Sequence, residues 1–298
     1  MKRPDLFIVG TMKAGTTALY EYLRAHPQVF MCIPKEPLYF GRDLNPRFRR
    51  MTEAEYLDLF KAARPDQRAG EATPLYLSST SAAQEIAAFA PDARIIIMLR
   101  NPVDVMHAQH GQVLFNESED ITDFASALAA EPERKRGERI PPSATRAEAL
   151  HYRELVDFVP QVRRFLAAFD RSQVHFVVFD DFVADAAAEY RRVLEFIGVD
   201  PDVKVAFTVH NPSQAARSRL VQRLLFSPPR PLRWFYGRMR RLPFAHWVRD
   251  RIQRANSRRA ERRRIDPELR AALTVEFAPK VAELGELIGR DLSAWSRA

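Results

Sequence analysis

The chain has a single cysteine, Cys32, among 298 residues. An intrachain disulfide is therefore excluded, and such usage fits a reducing compartment. Long apolar runs are missing too: none approaches the roughly 20 residues that a bilayer-spanning helix needs. The first apolar run, Leu6-Phe7-Ile8-Val9, is too short for the core of a secretory signal and is needed as an opening strand. The seven histidines show no metal-ligand spacing, and no internal repeat is visible. The expectation is a soluble, cytoplasmic protein that works without a metal.

What is present is unevenly placed. Hydrophobic residues make up 46% and charged residues 28%, the composition of a globular chain long enough for a full core. The net charge is +8. Between Arg217 and Arg264 stand sixteen arginines against Asp250 and Glu261, a local +14 that leaves −6 for the remainder. Leu224, Trp234 and Trp247 interleave with these arginines, so amphipathic surface helices are one reading. That reading carries a peripheral contact at the inner membrane face. The simpler one is an arginine-rich solvated face that packs its apolar side on the body. Pro228, Pro229 and Pro231 separate two helical pieces of the segment.

Elsewhere strands and helices alternate. Residues 6–9 read as a strand, 15–25 as a helix ended by His26-Pro27, 30–33 and 68–72 as short strands, and 81–89 as a helix. Ala93-Arg94-Ile95-Ile96-Ile97-Met98-Leu99 is the strongest buried-strand signal, followed by Asn101-Pro102 as a helix start. Residues 146–168 read as one long amphipathic helix, 174–179 as a buried strand, and 186–197 as a helix closed by Gly198. Residues 116–142 are charged and irregular apart from 124–130, and read as a mobile flap. The fold class expected is α/β: three layers, a central parallel sheet with helices on both faces, and a helical C-terminal extension, as one domain over residues 1–298.

Four constellations carry chemistry. The first is Gly10-Thr11-Met12-Lys13-Ala14-Gly15-Thr16-Thr17-Ala18, between a strand and a helix start. Backbone N–H groups and the positive end of a helix dipole converge there on an anion. Lys13 stands two residues before Gly15, whereas the Walker lysine follows the second glycine, so the cradle is shared and the cation differs. The second is Arg100-Asn101-Pro102-Val103-Asp104 at a strand end, where an arginine can fork onto a phosphate or simply cap the surface. In the third, Gly70-Glu71-Ala72-Thr73-Pro74-Leu75-Tyr76, Glu71 reads as a general base or as a salt-bridging surface group. In the fourth, Pro34-Lys35-Glu36-Pro37-Leu38-Tyr39-Phe40, prolines hold a lysine that is either positioned or merely solvated.

In this order the four resemble the motifs of sulfotransferases that use 3′-phosphoadenosine 5′-phosphosulfate (PAPS), in the branch of the heparan sulfate sulfotransferases and bacterial relatives. The resemblance extends through Val177-Val178-Phe179-Asp180-Asp181-Phe182, His210-Asn211-Pro212-Ser213 with Arg217-Ser218-Arg219, and an ending with Gly289, Asp291 and Trp295. It implies a P-loop-NTPase-like fold and PAPS as co-substrate, with no metal. Lys13, Ala14, Gly15, Thr16, Thr17 and Ala18 would hold the 5′-phosphosulfate, and Arg100 and Arg217 the 3′-phosphate. Glu71 would be the base, with Lys13 stabilising charge on the leaving phosphate and Lys35 serving the acceptor. Two places depart from the family pattern: Ala108 stands where a serine usually contacts the 3′-phosphate, and Ala72 where lysine often follows the base. A neighbouring His107 or His110 is a substitute for the first.

The function expected is in-line sulfuryl transfer to a hydroxyl or amine, with a saccharide, a lipid-linked glycan or a small alcohol as acceptor and no nucleic acid partner. A P-loop kinase or NTPase is the alternative enzyme; the place of Lys13 and the lack of an obvious magnesium-holding strand carboxylate count against it. An anion- or membrane-binding module built on residues 217–264 is the third reading.

Overall fold

In the computed structural model the opening apolar run forms β1 (Leu6–Gly10), buried along its whole length, and leads into α1 (Thr16–Arg24). There follow β2 (Val29–Met31), α2 (Glu53–Asp58), β3 (Arg68–Ala72), α3 (Ala82–Phe89), β4 (Arg94–Leu99) and α4 (Pro102–Phe115). Next come α5 (Phe124–Ala129), α6 (Glu131–Lys135), α7 (Tyr152–Leu155), α8 (Phe158–Ala168), β5 (Val174–Val178), α9 (Phe179–Ala184) and α10 (Ala186–Ile197). β6 (Gln214–Ala216), β7 (Ser257–Arg259) and α11 (Pro267–Ile288) follow. The structure describes residues 2–44, 49–144, 146–207, 214–218, 221, 251–252, 255–259 and 264–297. Two units emerge: Met1–Val105 with Arg153–His210 and Arg270–Ala298, and Met106–Tyr152 with Asn211–Leu269.

The first unit holds a five-stranded parallel sheet in the order β2-β3-β1-β4-β5. Leu6 lies opposite Gly70 on one side and Arg94 on the other, so the three central strands run in step. The chain reverses its direction of travel across β1, and ligands of open parallel sheets gather at the strand C-termini beside such a reversal. Alternation along β1 sends Leu6 and Ile8 into a core with Leu19 and Leu23 of α1 and Val193, Leu194 and Ile197 of α10. Phe7 faces the other way. Its ring lies 5.8 Å from Phe40, which in turn lies 5.4 Å from Tyr56 of α2 and 5.3 Å from Phe89 of α3. Helices therefore cover both faces, and each fully buried side chain of this size contributes about 1.5–3 kcal/mol.

The expected strand at residues 68–72 and helix at 186–197 keep their bounds, and Gly198 closes the helix at φ 72°. The single helix expected over 146–168 is corrected. The chain makes a 3₁₀ turn at Ala147–Leu150, then α7, and starts again at α8. Pro160 is the cause: inside a continuous helix its ring would strike the carbonyl four residues back, whereas in the first turn of α8 its missing N–H costs nothing.

In the second unit the charged stretch read as a flap is packed. Arg134 donates from Nη1 and Nη2 to the two carboxylate oxygens of Glu119 at 2.7 and 2.6 Å, and the Tyr152 hydroxyl adds a bond of 2.7 Å. All three residues are buried. The helical reading of 217–264 is corrected at Ser257–Arg259, which pairs antiparallel with β6. The Asn256 side chain extends that ladder: it accepts from Ser218 N–H at 2.9 Å and donates to Ser218 O at 3.1 Å. The proline-rich break at 226–231 and most of the arginines lie outside the described residues, as do residues 208–213. Among the described residues no helix is long and apolar enough to cross a membrane.

Candidate active site

Three strand ends build the site in the first unit. At the end of β1, Gly10 adopts φ 144°, and a Cβ there would lie 2.3 Å from the Met98 carbonyl oxygen, so no side chain fits. The Thr11 N–H bonds that same oxygen at 2.8 Å, carrying the β1–β4 ladder into the loop. Lys13 takes φ 68° and Gly15, the N-cap of α1, φ 87°. Gly15 has no side chain to cap the helix, and Ala18 and Leu19 turn their N–H groups back to its carbonyl. A partner for the earliest N–H groups of the helix has to come from outside its own ladder, which suits an anion.

Arg100, at the end of β4, fastens this loop. Its Nη1 donates to the Lys13 carbonyl at 2.9 Å, its guanidinium carbon lies 4.5 Å from the Phe179 ring centre, and Asp104 stands 3.8 Å away. Phe179 also bounds the loop from the other side: a Cβ on Gly15 would come within 3.4 Å of it and 3.3 Å of Phe182. Arg270 of α11 pairs with Asp104, and the Trp295 indole N–H donates to Asp180 at 2.5 Å. The chain's last elements thus hold acids at the strand ends.

The third strand end carries Glu71, fully buried, on β3 opposite Phe7. Its Oε1 accepts the Tyr56 hydroxyl at 2.5 Å and, more distantly, the Tyr76 hydroxyl at 3.4 Å; Oε2 accepts the Thr73 hydroxyl at 2.6 Å. Burial pushes the carboxyl up from the usual 4.5 to about 7, against the pull of Thr73, Tyr56, Tyr76 and the Lys35 charge. A carboxyl half-ionised near neutrality has the acidity a general base needs.

Lys35 sits in a tight loop, with Glu36 at φ 62° and Leu38 at φ 56°. Its side chain is 17% exposed and its Nζ lies 2.5 Å from Glu36 Oε1. The next turn of chain is tied to a Glu71 partner: Tyr39 and Phe40 donate their N–H groups to the Tyr76 hydroxyl at 3.0 and 3.3 Å.

Lys13, Ala14, Gly15, Thr16, Thr17, Ala18, Lys35, Glu71 and Arg100 all lie in the first unit, with Arg100 on the Lys13 loop and the Lys35 charge acting on Glu71. Arg217 belongs to the second unit, exposed, with its N–H on the Asn256 carbonyl at 2.7 Å. Ala72 packs into the core against α1 and α10. Ala108, on α4, is buried, and His110 bonds the Ile121 carbonyl at 2.8 Å and packs on Phe124 and Tyr152. Residue patterns alone do not reveal Phe179 beneath Arg100 or Tyr56 on Glu71. The local signal near Tyr56 is the capping box of Thr52 and Glu55 that starts α2.

The loop fits PAPS on its own geometry: a glycine-lined turn that a Cβ would crowd, an uncapped helix start, and cations at two strand ends. The sequence matches the sulfotransferase domain family over residues 3–227. Mouse heparan sulfate glucosamine 3-O-sulfotransferase 3B1 is 30% identical over 196 residues, 66% of this chain and 46% of the relative. Human heparan sulfate glucosamine 3-O-sulfotransferase 6 is 31% identical over 66% of this chain and 52% of its own length. The chain thus spans about half the length of the curated relatives it matches. A solved sulfotransferase from Alicyclobacillus acidocaldarius superposes with a TM-score of 0.74 at 30% identity, covering 100% of both chains. With the family matched over three-quarters of its length and a glycine loop joining β1 to α1, the chain belongs to the PAPS-dependent sulfotransferases.

Proposed function

We propose that this chain transfers a sulfuryl group to a hydroxyl or amine of a saccharide. PAPS supplies that group when bound, as a phosphosulfate whose bisphosphate departs. The observation that carries the reading is the meeting of the Arg100-tethered Lys13 loop with a buried, half-ionised carboxyl across neighbouring strands.

Lys13, the loop N–H groups and the Thr16 and Thr17 hydroxyls stabilise charge on the 5′-phosphate side, and Arg100 holds the 3′-phosphate. Such transfer asks for positioning and charge stabilisation more than for covalent help. Glu71 removes the acceptor proton. Because the carboxyl is fully enclosed, an incoming hydroxyl must take the place of one of its donors, and the 3.4 Å Tyr76 contact is the longest. Lys35 lies beside the transferred group or the acceptor. The names of the relatives support a sugar acceptor. The basic stretch 217–264 supports an anionic or membrane-proximal one, a lipid-linked glycan included, reached from the cytoplasmic side.

Labelled sulfuryl transfer from PAPS, with sulfated saccharides, lipid-linked glycans and small alcohols as acceptors, tests the reading. A labelled saccharide is the expected product. Calorimetry showing tight magnesium-dependent ATP binding and none for adenosine 3′,5′-bisphosphate overturns it in favour of a kinase or NTPase.

A further inference from the structure

Three hydroxyls hold Glu71, and they are not equivalent. Thr73 lies two residues along the same chain and moves with the strand. Tyr76 shares its hydroxyl with the Tyr39 and Phe40 N–H groups and stands off from Oε1 at 3.4 Å. Tyr56 comes from a separate element, α2, and among the described residues its hydroxyl bonds to Glu71 alone, at 2.5 Å. Its ring is fully buried, stacked on Tyr39 at 4.2 Å and 8°, and edge-on to Phe40, Phe60 and Phe89 at 5.4–5.8 Å. Aromatic neighbours on both sides lock the ring, so the hydroxyl has one place to point.

We propose that Tyr56 is a positioning residue for the base: its hydroxyl fixes Oε1 and favours the anionic carboxylate that accepts the proton. The inference rests on Glu71 being that base. Burial and the adjacent carboxylate push the Tyr56 hydroxyl well above its usual range, so the phenol keeps its proton and remains the donor. The other groups facing Glu71 are Thr73 and Tyr76 from the turn after β3, Lys35 from the loop after β2, and Cys32 at the end of β2, a thiol that burial holds neutral. Of these only Lys35 brings a charge, and it is paired to Glu36. A buried phenol donor is therefore the strongest fixed support that the anion receives from outside its own strand.

The test follows the Glu71 carboxyl directly in nucleotide-free protein. Glutamate labelled with ¹³C at Cδ is titrated by NMR, and the Glu71 signal is identified by its loss in Glu71→Gln. Tyr56→Phe keeps the stacked ring and removes the hydroxyl, and should raise the midpoint by about one unit, tenfold in proton affinity. Site-directed 3-fluorotyrosine at position 56, a stronger donor, should lower it. In the transfer assay the acid limb of the pH profile should move with the midpoint. Tyr56→Phe should then lose about fivefold in kcat at pH 7 and recover near pH 9, with acceptor KM nearly unchanged. Midpoints unmoved in both variants overturn the proposal and leave Tyr56 a core aromatic. If instead Glu71→Gln retains transfer, the base reading itself fails, and the positioning role fails with it.

Discussion

Replacing Arg100 by lysine keeps a positive charge at the end of β4 and removes the guanidinium plane. That plane does two things at once. Nη1 donates to the Lys13 carbonyl at 2.9 Å, and the group lies 4.5 Å from the Phe179 ring centre, on a side chain only 12% exposed. A hydrogen bond involving a charged group contributes about 1.5–3 kcal/mol, and a partly desolvated cation–π contact about 0.5–2 kcal/mol. Lysine offers a point charge on a flexible stem and cannot lie flat on the ring while donating to the loop. A net loss of about 1–3 kcal/mol is expected, which for a chain of this size lowers the melting midpoint by roughly 2–5 °C. Because the loop would lose its tether, affinity for adenosine 3′,5′-bisphosphate should fall by about tenfold, or 1.4 kcal/mol. Thermal unfolding without nucleotide and calorimetric titration with the bisphosphate check both numbers. If Arg100→Lys melts and binds like the wild type, Arg100 acts as a charge alone and the clamp argument is wrong.

Two further perturbations probe the buried charges. Glu71 has a folded value of about 7 against an ordinary 4.5, so its contribution to stability is present below pH 4.5 and is lost as the pH rises through 7. Glu71→Gln should therefore melt above the wild type at pH 8, with the gap closing toward pH 5; a variant that melts below it at pH 8 contradicts the assignment. Arg134→Met leaves the Glu119 carboxylate buried without its bidentate partner, at a cost of about 3–5 kcal/mol. Urea unfolding with a shift below about 1 kcal/mol would show that the second unit relaxes to hydrate Glu119.

The legible parts of this molecule are those decided by a few adjacent residues. The run Leu6-Phe7-Ile8-Val9 ending at a glycine has one sensible outcome, and β1, the loop and α1 follow it closely. Asn101 before Pro102 reads as a helix start, and its Oδ1 accepts the Val103 N–H at 2.9 Å. The break before α8 was also written in the chain, in Pro160, but apolar periodicity across 146–168 masks it. What the sequence hides depends on distant partners. The raised pKa of Glu71 comes from its burial in the fold, and Tyr56, fifteen residues upstream, pulls against it. The role of Phe179 needs Arg100 and Gly15 brought to it by β4 and β1. Residues 116–142 read as a mobile flap because the pairing of Glu119 with Arg134 has no local signature.

The central claim is that Glu71 serves as the base of a PAPS-dependent sulfuryl transfer. Its most direct test is the turnover of Glu71→Gln on a saccharide that the wild type sulfates, measured beside bisphosphate affinity. A loss of about 10²–10⁴ in kcat is expected with the nucleotide dissociation constant nearly unchanged, because the amide keeps the shape and loses the basicity. Near-wild-type turnover by Glu71→Gln, with nucleotide affinity intact, would contradict it.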